Sequence, residues 1–144
     1  MLSLLKQVQY RSFLLLEQAL APLNVSAVQF RILTTVKQRR RISSAELARL
    51  YDVRPQTMFK QVAVLESSGL IRRGASVANK RILELELSPA GERVLAECAL
   101  AASALEQELF AGLTGGELGM FGELMTRMLK AAREKKRAKP LAAE

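Results

Sequence analysis

Apolar residues recur along this chain at helical spacing in six stretches and alternate in only one. In the first stretch, residues 3–21, Leu4, Leu5, Val8, Phe13, Leu15, Leu16, Ala19 and Leu20 mark an amphipathic helix that Pro22 ends. A second helix is expected from Ser26, where Gln29 three residues on completes a capping box; Val28, Ile32, Leu33 and Val36 mark its apolar face. After the basic turn Lys37–Arg41, Ser43 and Glu46 form another such box. The helix they open buries Leu47, Ala48 and either Leu50 or Tyr51, and it ends near Asp52. Pro55 suits the first position of a fourth helix, which runs to about Ser68 with Gly69 as its left-handed cap. Met58, Val62 and Leu65 share one side of it, and Gln56, Thr57, Lys60 and Gln61 lie towards the other.

The alternating stretch follows. A short strand over residues 70–73, a loop tip over 74–79 and a strand over 81–87 make a hairpin, with Leu83, Leu85 and Leu87 alternating with Glu84 and Glu86. Ser88 and Pro89 open a long helix over about 89–111, striped by Val94, Cys98, Ala102, Leu105 and Leu109. Gly112 stops it. Thr114 and Glu117 form a third capping box for a last helix to about Lys136, carrying Leu118, Phe121, Leu124, Met125, Met128 and Leu129. The charged end after it reads as a disordered tail. The fold class is therefore mainly α with one small β-hairpin.

Charge changes the picture. Eleven of the 22 basic residues fall between Lys37 and Arg81 against three acids, Glu46, Asp52 and Glu66, so this segment holds the whole net charge of +8. A localised positive field on a compact helical module is the footprint of a nucleic-acid binder. The third and fourth helices, joined by Tyr51–Arg54, have the spacing of a helix-turn-helix, whose second helix would present Gln56, Thr57, Lys60 and Gln61 to the major groove. Gln can pair with adenine, Lys can donate to guanine or phosphate, and Thr can reach a phosphate or a thymine methyl. A short helical hairpin with a solvated polar face would show the same spacing. The following hairpin favours DNA, because Lys80 and Arg81 at its tip could act as a wing on the minor groove or backbone. Arg39, Arg40, Arg41, Arg54, Arg72 and Arg73 are candidates for phosphate contact or long-range attraction, and some could instead face acids within the fold.

Other chemistry is thinly represented. The chain has no histidine, which removes imidazole bases, His-containing zinc sites and Ser-His-Asp or Cys-His catalysis. No catalytic set converges, and no cofactor or metal is implied. Its one cysteine, Cys98, lies on an apolar stripe and reads as a buried structural thiol. Every apolar stretch is broken by charge within a few turns, and the N-terminus lacks the pattern of a secretion signal, so residence in the cytoplasm is expected.

Four blocks in order resemble the MarR-type winged-helix transcriptional regulators. They are Leu23–Leu33 leading into the second helix, Glu46-Leu47-Ala48 before the recognition helix, Leu65–Arg73 as the LExxGLIxR signature, and Leu87–Gly91 after the wing. The resemblance covers about residues 5–130. It implies a homodimer on a pseudo-palindromic site of double-stranded DNA, most often as a repressor. Residues 1–25 would supply an N-terminal dimerisation helix, 26–88 the winged helix-turn-helix, 89–137 the C-terminal dimerisation helices and 138–144 the tail. It also implies a pocket near the first two helices for a small aromatic or anionic effector, with Tyr10, Arg11 and Phe30 as wall residues. The wing tip reads Asn79-Lys80-Arg81 where the family usually has Asp-Arg-Arg, so the acid that steadies the wing arginine is replaced by an uncharged side chain. Two rival readings are a sequence-indifferent architectural DNA-binding protein and a winged helix used only for dimerisation or protein docking.

Overall fold

A computed structural model describes residues 1–76 and 81–138, without the side chains of 136–138. The elements run α1 (Leu2–Leu20), a single 3-10 turn (Ala21–Leu23), α2 (Ala27–Arg39), β1 (Ile42–Ser43), α3 (Ser44–Tyr51), α4 (Pro55–Ser67), β2 (Ile71–Ala75), β3 (Leu83–Leu87), α5 (Pro89–Leu109) and α6 (Gly115–Ala138). They fall into two units divided after Leu105.

In the first unit one core joins the helices to the sheet. Leu20, Ile32, Leu33, Val36, Leu47, Met58, Val62, Leu65, Leu85 and Cys98 are its most deeply buried side chains. The capping boxes form as spaced. Ser26 Oγ accepts from the Gln29 N–H and Gln29 Oε1 accepts from the Ser26 N–H, at 3.1 and 3.0 Å. Ser43 and Glu46 exchange the equivalent bonds at 3.2 and 2.8 Å. Each box satisfies backbone donors that a helix start leaves open, a contribution of about 1 kcal/mol. The sequence does not announce a further cap on α2: Glu17 on α1 accepts from the Ala27 N–H at 2.7 Å.

The sheet has three strands in the order β1-β3-β2, all antiparallel, where the sequence suggests only a hairpin. Ile42 pairs with Leu85 and Ser43 with Glu84. A two-residue strand has no periodicity to read and exists only through this pairing. Of the alternating leucines, Leu85 is buried, Leu87 half-buried and Leu83, at the far end opposite Ala75, exposed. On α5 the buried positions are Gly91, Leu95 and Cys98, a stripe rotated slightly from the expected one.

The second unit contains the end of α5 and α6. Thr114 and Glu117 form their capping box, and Phe110 and Phe121 stack at a tilt, 6.1 Å apart. The last helix continues to Ala138, past the expected end, because Ala, Glu, Lys and Arg all favour helix. Residues 139–144 of the expected tail lie outside the described residues. Among the described residues no single helix is long and apolar enough to cross a membrane.

Candidate nucleic-acid interface

The turn between α3 and α4 is built by backbone geometry. Asp52 takes a left-handed conformation, with φ 57° and ψ 44°, and its N–H bonds back to the carbonyls of Ala48 and Arg49. Asp tolerates this region better than most residues. Val53 N–H reaches the Ala48 carbonyl at 3.1 Å, and an extended Arg54 then starts α4 with Pro55 first in the helix. A second tie holds α2 to α3. Tyr51 Oη donates to the Arg31 carbonyl at 2.8 Å and lies 2.6 Å from Thr35 Oγ1, while the Arg31 guanidinium sits 4.1 Å from the Tyr51 ring centre.

Met58, Val62 and Leu65 turn inward from α4, so Gln56, Thr57 and Lys60 turn outward and are exposed, with Gln61 half-buried on the flank. Pro55, Gln56, Phe59 and Lys60 line an open apolar groove of about 510 Å³ together with Ser44 and Ala45 of α3. Phe59 is a feature that the residue pattern did not single out: a large aromatic, 53% exposed, beside the outward polar residues.

The cations separate into two groups. Arg39, Arg40, Arg49, Arg54, Lys60 and Arg72 are exposed and make no ion pair among the described residues, and Arg81 is exposed where the hairpin resumes. Arg40 ends α2 in a positive-φ conformation, φ 61°, that lifts the basic turn out of the helix. Three others face acids of the fold. Lys37 pairs with Glu92 of α5. Arg41 lies 3.5 Å from Glu86 and 3.9 Å from Glu84, both on β3. Arg73 lies 3.0 Å from Glu66. Lys80 and Asn79 lie outside the described residues.

Three groups are shifted among the described residues: Glu46, Cys98 and Glu117, the last held below its ordinary 4.5 by hydrogen bonds from the Thr114 backbone and hydroxyl. Hydrogen bonds from the Ser43 backbone and hydroxyl hold the Glu46 carboxyl below its ordinary 4.5. Burial, with the Glu97 charge beside it, pushes the Cys98 thiol up from its usual 9.0, away from the reactive thiolate. Of the expected effector residues, Tyr10 and Arg11 are exposed on α1 and Phe30 is half-buried against the core, and none of them lines the groove. Among the described residues no cluster of three metal-ligating side chains occurs.

The junction behind α4 explains two of the sequence blocks. Gly69 ends the helix at φ 71°, a conformation that glycine adopts without penalty. Ser88 N–H then donates to the Leu70 carbonyl at 3.0 Å, and Ser88 Oγ–H to the Gly69 carbonyl at 2.5 Å. The Gly91 N–H caps back onto Ser88 Oγ at 2.9 Å.

Residues 25–83 match the model of the MarR family. Over 110 residues, 76% of this chain and 79% of the relative, the chain is 31% identical to the HTH-type transcriptional repressor Rv2887 of Mycobacterium tuberculosis. This chain belongs to the MarR family. The Multiple antibiotic resistance protein MarR of Escherichia coli is 26% identical over 127 residues, 88% of each chain. A mutant of E. coli MarR solved in complex with operator DNA has the same fold, with a TM-score of 0.79 and 26% identity, covering 88% of this chain and 91% of that one. The segment matched to the MarR family runs from α2 through the helix-turn-helix to the first residue of β3, so it spans the outward residues of α4 and most of the described cations.

Proposed function

We propose that this MarR-family chain is a DNA-binding transcriptional regulator, acting in the cytoplasm as a repressor and as a homodimer on a pseudo-palindromic operator. The observation that carries this reading is the outward face of α4, where Gln56, Thr57 and Lys60 stand exposed on the second helix of a helix-turn-helix. Gln56, Thr57, Lys60 and Gln61 read or clamp the major groove. Lys80 and Arg81 act from the wing, and Arg39, Arg40, Arg54 and Arg72 supply backbone contacts. Arg41 and Arg73 already face acids, which favours support of the fold over phosphate contact. The operator complex of E. coli MarR supports double-stranded DNA as the partner.

The apolar faces of the terminal helices support the dimer. Leu4, Val8, Phe13 and Leu15 on α1 are exposed, as are Leu118, Phe121, Leu124, Met125, Met128 and Leu129 on α6. Burying the six on α6 would contribute on the order of 5–10 kcal/mol per protomer, and a contiguous exposed apolar face of this kind marks an interaction site. Residues 1–25 and 89–137 are thus the dimer scaffold, which sets the two recognition helices about one DNA turn apart, roughly 34–36 Å. A small aromatic or anionic effector meeting Tyr10, Arg11 and Phe30 would relieve repression by shifting that spacing.

Selection of bound duplexes from random DNA, with sedimentation of the free protein, tests the reading. The expected outcome is a palindrome with half-sites one turn apart and a dimer in solution. Binding without a preferred palindrome favours an architectural protein, and no binding at low salt favours a docking module.

A further inference from the structure

The arginines of the winged helix are not equivalent. Arg73 stands on β2 at the foot of the wing, opposite Leu85. Its Nε lies 3.0 Å from Glu66 Oε2, in an ion pair whose direction falls short of a hydrogen bond. On its other side the guanidinium carbon lies 5.0 Å from the centre of the Phe59 ring. Phe59 and Glu66 are seven residues apart on α4, two helical turns, and so share one flank. Only 21% of the Arg73 side chain is exposed, far less than the 48% of Arg41. A planar guanidinium can stack on a ring and pair with a carboxylate at once, which an ammonium cannot.

The cluster also accounts for two residues that a DNA-facing helix would do better without. Glu66 is a negative charge on the helix that would approach phosphates. Phe59 is a bulky aromatic on a surface otherwise formed by Gln56, Thr57 and Lys60. Both are explained if Arg73 is their shared partner.

We propose that Phe59 and Glu66 hold Arg73 as a positioning residue that locks the foot of the wing to the recognition helix, so that Arg73 neutralises no phosphate. The proposal rests on the DNA-binding reading above. The lock fixes the angle between the helix in one groove and the wing in the next, and both can engage together only at one angle.

The test is a sign. Simple electrostatics says that Glu66→Gln, by removing a negative charge, tightens binding to any DNA. The lock says that it weakens binding to the selected operator, roughly fivefold for a half-exposed pair, while affinity for random duplex of the same length stays level or rises. Phe59→Leu, which removes the ring and leaves the charges, is expected to lose the same operator preference. Arg73→Gln is expected to lose it too, with the slope of log affinity against log salt unchanged. Thermal unfolding of each variant accompanies the titrations, and the ratio of operator to random affinity is read because loss of fold alone lowers both. Tighter operator binding by Glu66→Gln, or a slope shallower by about 0.9 in Arg73→Gln, would overturn the proposal. Failure of the unaltered protein to bind duplex at low salt would overturn the DNA-binding reading itself, and is thereby distinguished.

Discussion

Replacing Gly91 with alanine drives a methyl group into a backbone carbonyl. An ideal Cβ at Gly91 lies 1.9 Å from the Leu70 oxygen, 2.9 Å from its carbon and 3.3 Å from its Cα. A carbon and a carbonyl oxygen ordinarily approach to about 3.3 Å, so the start of α5 and the α4–β2 junction must part by roughly 1.4 Å. Backbone cannot rotate out of the way as a side chain can. The parting strains or breaks the two bonds from Ser88 to the Leu70 and Gly69 carbonyls. Overpacking costs about 1–3 kcal/mol and each bond about 1 kcal/mol, against a helix-propensity gain of at most about 1 kcal/mol. The expected net loss is therefore about 2–4 kcal/mol. For a chain of this length that lowers Tm by about 7–13 °C. Urea and thermal unfolding of both proteins at one equal concentration measure it, since a dimer's stability depends on concentration. A change within 0.5 kcal/mol, or a stabilisation, would refute the close approach of Gly91 to Leu70 and the packing of α5 on this junction.

Ser43→Ala removes the hydroxyl that accepts from the Glu46 N–H and donates to its carboxylate. It is expected to cost about 1 kcal/mol at pH 7. Because the folded Glu46 carboxyl is held below 4.5, the stabilisation it gives is complete above that value and is lost as pH falls through the lower folded value. The difference between the two proteins in urea should narrow in that acid window; a gap that widens there would contradict the assignment. Lys60→Ala should weaken operator binding by about 1–3 kcal/mol and relax one base position in a selection experiment. Equal loss on operator and random DNA would instead make Lys60 a phosphate clamp. The buried Cys98 thiol, pushed up by desolvation, should react with a thiol reagent only as fast as the protein unfolds. Rapid labelling of the native protein would count against a structural role.

Local signals were the legible ones. A capping box needs two residues three apart, and those at Ser26, Ser43 and Thr114 all form where the spacing puts them. Pro55 and Gly69 bracket α4 for equally local reasons, so the helix and its outward Gln56, Thr57 and Lys60 could be read directly. What escaped depends on residues far apart in the chain. The strand at Ile42–Ser43 exists because Leu85 lies opposite it. Arg41 could be listed among the cations, but only the sheet brings Glu84 and Glu86 to it. The residue pattern leaves Arg73 open as a phosphate contact or as the partner of an acid, and only the fold sets it between Glu66 and Phe59. Charge counting locates a positive segment well; it does not tell which cations the fold has already used.

That division gives the segment from Lys37 to Arg81 its final reading. Its net +8 attracts a polyanion; the exposed Arg39, Arg40, Arg54, Lys60 and Arg72, which make no ion pair among the described residues, are placed to meet it, and Arg81 is exposed where the hairpin resumes. The most direct test is equilibrium binding of the full chain to its selected palindrome over a range of salt concentrations. Six phosphates neutralised per protomer predict that log affinity falls against log salt with a slope of about −5 for each protomer engaged. A complex indifferent to salt, or one that prefers no sequence at any salt, would contradict the claim that this chain is an operator-binding regulator.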